Sequence, residues 1–143
     1  MKSIYIIGSL RNPEIVNLEN DIEKIGIEPF GQWMAAGPIA DDSWRDYAKA
    51  RGWTYKQALN SYCAKHVFSF DAKHIERCDA AVLLMPAGRS GHLELGVVLG
   101  KGKPGFILFD QEPERWDQMV QFATEIFFSR SEFLNYLKSN KET

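Results

Sequence analysis

A chain of 143 residues, 45% of them hydrophobic, is long enough to bury a core, and we expect one domain over residues 1–143. Charged residues make up 25% of the chain and the net charge is −2, which excludes the strongly basic surface typical of proteins that bind nucleic acid polymers. No apolar run approaches the about 18 residues of a membrane span, so we expect a cytoplasmic protein without a membrane partner.

The N-terminal part of the chain alternates between strand and helix patterns. Ser3–Ile7 is a short β-branched and aromatic run, which predicts a strand. From Pro13 to Gly26, apolar residues recur at three- and four-residue spacing, which predicts a helix; its stripe is Ile15, Leu18, Ile22 and Ile25. Ile27–Trp33 predicts a second strand, and residues 43–62 predict one or two helices.

The remaining chain continues this alternation. We predict strands over Ala80–Met85, Gly105–Phe109 and Glu125–Phe128, and helices over Gly91–Gly100, Trp116–Ala123 and a last segment capped by Ser131. Apolar strands that alternate with helices favour a parallel sheet covered on both faces. Five such strands at this length indicate a flavodoxin-like (Rossmann-like), doubly wound α/β fold.

Ligands of such sheets bind beyond the carboxyl ends of the strands, so the loops after the first and third strands are candidate binding loops. In the first loop, Gly8 permits close backbone approach, Ser9 offers a hydroxyl, and Arg11 offers a fork of donors for phosphate or carboxylate. An ordinary turn, in which Ser9 caps the next helix and Arg11 is solvated, explains these residues equally well.

The second loop combines glycines with a carboxylate. Gly88, Ser90 and Gly91 form a turn whose amides can hold hydroxyls or phosphates. We place Glu94 in the first turn of the next helix, where the helix dipole favours an ionised carboxylate that can act as a nucleophile. A capping box is the alternative, although Ser90 and Gly91 each complete it only in part. His92 is a binding candidate, but a lone histidine is more often structural.

A second carboxylate and an aromatic cluster complete the candidates. Asp71 either caps a helix or joins Glu94 as one of the paired carboxylates that suit glycosidic chemistry. In the cluster, Trp33 can stack a nucleobase and Asp42 can accept from its amino groups; its other members are Asp41, Trp44 and Tyr47. Core-covering tryptophans and helix-capping aspartates explain it equally well. The histidines and cysteines lack metal-ligand spacing, so we expect no metal and no cofactor.

Three stretches of the chain resemble the nucleoside 2-deoxyribosyltransferase family, and among its members the 2′-deoxynucleoside 5′-phosphate N-hydrolases are closest in pattern. They are "IYIIGSLRN", "FDAKHIERCDAAVLLMPAG" and "GHLELGVVLGKGKP". The resemblance implies a flavodoxin-like fold and an enzyme that cleaves, or transfers at, the N-glycosidic bond of a nucleoside or (deoxy)nucleoside 5′-monophosphate. It also implies a homodimer or higher homo-oligomer with active sites near subunit contacts.

The same resemblance assigns roles to individual residues. The family's glutamate nucleophile falls on Glu94, and its active-site aspartate falls on Asp71. The loop that contacts phosphate in the hydrolases falls on Gly8, Ser9 and Arg11. The family commonly has a small or aromatic residue where this chain has His92. The stretch 37–62 is longer than in the hydrolases and has no counterpart, which leaves base specificity and the choice between hydrolysis and transfer open.

Other functions remain compatible with the sequence. "PAGRSGHLE" is similar in spacing to the signature of the lysine-decarboxylase-like phosphoribohydrolases, which also release a base. A glutamate on a helix of a flavodoxin-like sheet would also suit a TIR-like NAD glycohydrolase. A nucleotide-binding or nucleotide-sensing module without turnover is an alternative from a different class.

Overall fold

A five-stranded parallel sheet forms the centre of the structure, a computed structural model that describes residues 1–9, 11–31 and 40–142. Its strands are β1 (Ser3–Ile7), β2 (Glu28–Phe30), β3 (Ala80–Met85), β4 (Gly105–Phe109) and β5 (Glu125–Phe127). They are arranged in the order β2-β1-β3-β4-β5, and all neighbours pair in parallel. This is the flavodoxin-like order, so the predicted fold class is confirmed.

Helices connect the strands in the described part of the chain. They are α1 (Glu14–Ile25), α2 (Ala40–Ala50), α3 (Tyr55–Leu59), α4 (Tyr62–Arg77), α5 (Arg89–Gly100) and α6 (Arg130–Asn140), with a 3-10 helix over Gln118–Phe122. None of these helices has both the length and the apolar character that crossing a membrane requires.

Each face of the sheet carries its own hydrophobic core because successive side chains of a strand point to opposite faces. On one face, Ile4 and Ile6 of β1 pack with the apolar stripe of α1 and with Phe133 and Leu137 of α6. On the other face, Tyr5 and Ile7 pack with residues of α4 and α5. Helices therefore cover both faces, as the apolar strands predict.

Several element boundaries differ from those expected from the sequence. The helical segment predicted over residues 43–62 is divided among α2, α3 and the start of α4. Ser129, and not Ser131, caps α6, since its hydroxyl accepts from the Glu132 amide at 3.2 Å. The first helix ends at Gly26 as predicted, with a left-handed φ of 92°.

Lys103 fastens the end of α4 to the connection between α5 and β4. Its ammonium donates to the backbone oxygens of Ile75 at 2.6 Å and of Glu76 and Cys78 at 2.9 Å. These carbonyls lie at the C-terminal end of α4, where helix carbonyls lack intrahelical partners and a cation is favourable. The lysine therefore stabilises the entry into β3.

Replacing Lys103 with methionine is expected to lower the free energy of unfolding by about 1–3 kcal/mol, because carbonyls that the ammonium satisfies lose their donor while the aliphatic stem is kept. Urea denaturation measures the change. Lys101→Met, at an exposed position two residues earlier, is the matched control and is expected to change stability by less than about 0.5 kcal/mol. Equal stability of the two variants would contradict the stabilising role of the Lys103 hydrogen bonds.

Candidate active site

The candidate site lies where the strand order reverses, between β1 and β3. β1 pairs by hydrogen bonds with β2 on one side and with β3 on the other, where Ile7 lies beside Leu83. The loops that follow these two strands leave the sheet at the same edge, because parallel strands end together. Crevices at such a switch point are where doubly wound sheets bind ligands.

Glu94 is fixed by a contact that spans most of the chain. The Tyr5 hydroxyl donates to Glu94 Oε2 at 2.6 Å, so β1 and α5 meet at this carboxylate. The short distance is typical of a hydroxyl bonded to an ionised carboxylate.

The helix α5 begins at Arg89, so Glu94 lies in its second turn and the predicted first-turn position is wrong. The capping-box alternative is also excluded, because the cap is Gly88 and no side chain bonds there.

Tyr5 is the residue that the sequence interpretation missed. Its side chain points to the face covered by α4 and α5, and the residue is only 9% exposed. Burial, and then the nearby Glu94 carboxylate, raise the pKa of Tyr5, so the hydroxyl keeps its proton and donates. One feature of the sequence indicates such a contact. "SIYII" places a tyrosine among isoleucines of a buried strand, and a buried tyrosine hydroxyl needs a hydrogen-bond partner.

Asp71 lies on the same side of the sheet as this pair. It is within α4, so the possibility that it caps a helix is excluded. Its charge acts on both Tyr5 and His74, and it stands one turn before His74 on one face of the helix. Glu94 and Asp71 are thus two carboxylates that both influence Tyr5.

An aromatic group surrounds His74 next to these carboxylates. Its ring lies 5.4 Å from the ring of Tyr5, 4.9 Å from that of Phe70 and 6.5 Å from that of Phe30, measured between centroids. Burial lowers the pKa of His74, and the charge of Asp71 opposes that effect. The His74 ring therefore packs against the Tyr5 ring, and Phe70 and Phe30 pack against His74.

The loop after β1 is closed by an ion pair with α2. Arg11 Nη2 lies 2.7 Å from Asp42 Oδ2, and 66% of the arginine side chain is exposed to solvent, as the ordinary-turn alternative expects. Ser9 Oγ accepts from the Arg11 amide at 3.3 Å rather than capping α1. A Cβ on Gly8 would lie 2.9 Å from Ile15 Cδ1, so a larger residue there would require the end of the Ile15 side chain to shift.

The glycines before Glu94 have different surroundings. A Cβ on Gly91 would lie 2.9 Å from Leu83 Cδ1 and 3.2 Å from Ile7 Cγ2, so this glycine lets α5 pack closely on the sheet. A Cβ on Gly88 would meet no atom within 4 Å, and Ser90 is exposed. Gly88 and Ser90 therefore border open space at the start of α5.

His92 is turned away from Glu94. Residues two apart on a helix point about 200° from each other, and His92 Nδ1 lies 2.8 Å from the Gly88 carbonyl oxygen. The histidine lines a cavity of about 1040 Å³ between α5 and the segment after β4, together with Met85, Phe109 and Trp116. Glu94 does not line that cavity. Trp33, the predicted base-stacking residue, lies outside the described residues.

The arrangement provides acid–base and nucleophilic groups. Among the side chains of residues 1–9, 11–31 and 42–142, no group of three or more histidines, cysteines, aspartates or glutamates is placed to hold a metal ion. The described residues place the Glu94 carboxylate, which the buried Tyr5 hydroxyl holds, near a second carboxylate, Asp71, and near an open loop. This set suits attack on an electrophilic carbon with proton transfer to a leaving group.

Comparisons with known proteins establish the fold. No family model and no curated protein sequence matches the chain. Its structure is similar to that of a 2-deoxyribosyltransferase from the bacterium Bacillus psychrosaccharolyticus, with a TM-score of 0.64 and 18% identity over 94% of this chain and 91% of that one. It is also similar to the CMP N-glycosidase BcmB of Clostridium botulinum, with a TM-score of 0.58 and 16% identity over 95% and 98%. The chain thus has the α/β fold found in nucleoside deoxyribosyltransferases.

Proposed function

We propose that the protein cleaves, or transfers at, the N-glycosidic bond of a nucleoside or (deoxy)nucleoside 5′-monophosphate, with Glu94 as the nucleophile. The observation that carries the proposal is the 2.6 Å hydrogen bond from the buried Tyr5 hydroxyl of β1 to Glu94 of α5. A donor at this distance holds the carboxylate in one orientation, as a nucleophile requires. Two enzymes of the same fold, named a 2-deoxyribosyltransferase and a CMP N-glycosidase, support the reaction class.

The proposed reaction has two steps. A Glu94 oxygen attacks the anomeric carbon, forming a glycosyl ester while the bond from that carbon to the base nitrogen breaks and its electron pair leaves with the base. Asp71, in its protonated form, delivers a proton to the departing base, or it orients Glu94. Water, or a second base, then attacks the anomeric carbon and gives a proton to the Asp71 carboxylate, while the bond from that carbon to Glu94 breaks and the Glu94 carboxylate is released. Water gives hydrolysis and a base gives transfer.

The remaining residues are proposed to bind the sugar end of the substrate. Gly88 and Ser90 border the open start of α5, and Ser9 and Arg11 border the loop after β1. Asp42 joins this group through Arg11. The roles predicted for Trp33 in base stacking and for His92 in binding stay predictions.

A substrate panel tests the proposal. The chain is incubated with deoxynucleosides, deoxynucleoside monophosphates, ribonucleotides and NAD, each with and without an acceptor base, and free and exchanged bases are separated by chromatography. Base release without an acceptor indicates a hydrolase, and product only with an acceptor indicates a transferase. Nicotinamide release from NAD alone would support a NAD glycohydrolase instead. Tight binding without any product would support a sensing module.

Tyr5→Phe is expected to lower kcat by about tenfold or more, because the hydrogen bond that orients Glu94 is lost while the ring remains in the core. KM is expected to change by less than about threefold, since the phenol is proposed to act on Glu94 rather than on the substrate. Steady-state kinetics on the best substrate of the panel measures both constants. Tyr136→Phe removes a hydroxyl from the opposite core and is the matched control. Equal kcat values for the two variants would exclude a positioning role for Tyr5.

We also propose that residues 1–143 form one domain that assembles as a homo-oligomer. Large apolar side chains stay exposed in the single chain; they include Tyr62 (86%), Trp116 (79%), Phe122 (78%) and Phe68 (72%). Contiguous apolar patches are typical of interaction surfaces, and of these residues Trp116 and Phe122 line the same cavity. Sedimentation velocity at micromolar concentration distinguishes the assembly from a monomer.

A further inference from the structure

Most of the helix α4 is not buried in the structure. Its side chains from Tyr62 to Lys73 are exposed or half-buried, and Ile75 is the buried residue of the helix. Asp71, the proposed proton donor, lies on the exposed part. The residues of α4 that follow Asp71 and pack on the sheet therefore determine where its carboxyl group lies.

His74 follows Asp71 by one turn and packs on two strands at once. Its ring centroid lies 5.4 Å from that of Tyr5 in β1 and 6.5 Å from that of Phe30 in β2, and these two residues are paired in the sheet. Asp71 and His74 lie on one face of α4, because residues three apart on a helix are neighbours. The Tyr5 hydroxyl in turn donates to Glu94 at 2.6 Å. His74 therefore connects the helix that carries Asp71 to the phenol that holds Glu94.

The surroundings of His74 favour an uncharged ring. The Phe70 ring meets it edge-on, with the two centroids 4.9 Å apart. Burial lowers the pKa of His74 below its usual value, the charge of Asp71 opposes that effect, and Arg77 adds to it. An uncharged imidazole beside Asp71 adds no positive charge that would favour ionisation of the carboxyl group. The ring is therefore compatible with an Asp71 that carries a proton to the departing base.

We infer that His74 is a positioning residue, which fixes the proposed proton donor Asp71 relative to the proposed nucleophile Glu94. The inference rests on the proposed function and adds a residue that acts through both carboxylates without touching the substrate. His74 acts through the packing of its ring on Tyr5, so another aromatic ring can replace it. Proton transfer requires the donor within hydrogen-bond reach of the leaving group, and a small displacement of Asp71 slows it.

The test measures kcat of His74→Ala and His74→Phe on two deoxyribosides, one with a natural base and one with a nitrophenyl leaving group. His74→Ala is expected to lower kcat by about tenfold or more for the natural base and by less than about threefold for the nitrophenyl substrate. The difference is expected because only the natural base needs the proton from Asp71, whereas Tyr5 keeps its hydrogen bond to Glu94. His74→Phe is expected to keep kcat within about threefold on both substrates, since the ring is retained.

His66→Ala is the matched control, because His66 lies on the exposed part of the same helix and its ring stacks on the exposed Tyr62, with centroids 6.2 Å apart. It is expected to leave both rates within about twofold of those of the unmodified chain. Hydrogen exchange, followed by mass spectrometry, reports the attachment of α4 without requiring a reaction. His74→Ala is expected to speed exchange of the amides around Asp71 by about tenfold, and His74→Phe and His66→Ala are expected to leave it unchanged.

The two measurements separate this inference from the proposed function. Faster exchange near Asp71 in His74→Ala, with no substrate cleaved by the unmodified chain, would support the positioning of Asp71 and contradict the proposed reaction. Equal losses of kcat on both substrates, or no loss on either, would overturn the inference and leave the reaction standing. Unchanged exchange in His74→Ala, or a loss of kcat in His74→Phe as large as that in His74→Ala, would also overturn it.

Discussion

Replacement of Glu94 by glutamine is expected to reduce kcat by about 10³-fold or more, because a neutral amide cannot form the glycosyl ester. The glutamine oxygen can still accept from the Tyr5 hydroxyl, so the fold and substrate binding are expected to be retained. Base release is measured under single-turnover conditions, and affinity is measured separately by calorimetry. This pair of measurements distinguishes loss of chemistry from loss of the site.

Glu112→Gln is the control for this experiment. Glu112 lines the large cavity on the other flank of α5, so its replacement also tests whether that cavity is the reactive site. We expect Glu112→Gln to keep at least half of the activity. If Glu94→Gln retains more than about a tenth of the rate, or if Glu112→Gln causes the larger loss, the assignment of the nucleophile is wrong.

Replacement of Asp71 by asparagine is expected to lower kcat by about 10²-fold for natural bases, because the departing base then lacks its proton donor. The loss is expected to be much smaller for a substrate whose leaving group departs readily as an anion, such as a nitrophenyl deoxyriboside. Comparing the two substrates isolates proton transfer, since a damaged fold or a misplaced Glu94 would slow both equally.

The matched control for Asp71 is Glu76→Gln, another exposed carboxylate of α4 that lies about 140° further round the helix. It is expected to leave both rates within about twofold of those of the unmodified chain. An equal loss of Asp71→Asn activity with both leaving groups would indicate that Asp71 positions Glu94 rather than protonating the base.

The sheet could be predicted from the sequence because its determinants are local. A strand buried on both faces has an uninterrupted apolar sequence, as Ala80–Met85 shows. The helix α1 has apolar residues at helical spacing and ends at Gly26. Cap positions were less certain, because Ser129 and Ser131 offer the same side chain and only the backbone geometry selects one of them.

The contacts of the site could not be predicted in the same way, because they join distant parts of the chain. Tyr5 and Glu94 are 89 positions apart, and no periodicity links them. Arg11 and Asp42 were each recognised as candidates, but their mutual pairing depends on where α2 lies over the loop. His92 was placed beside Glu94 by sequence proximity alone, whereas helical geometry turns the two side chains apart.

The way α2 is attached has a consequence for how the substrate range could change. Among the described residues, no side chain of α2 belongs to either hydrophobic core, whereas Tyr5 belongs to the core shared by α4 and α5. Glu94, the proposed nucleophile, is thus held by a residue of the core, whereas Asp42, a proposed binding residue, lies on a helix outside both cores. Substitutions on α2 can therefore alter which ligand is accepted at little cost in stability, so that new specificities are accessible to gradual evolution or to engineering.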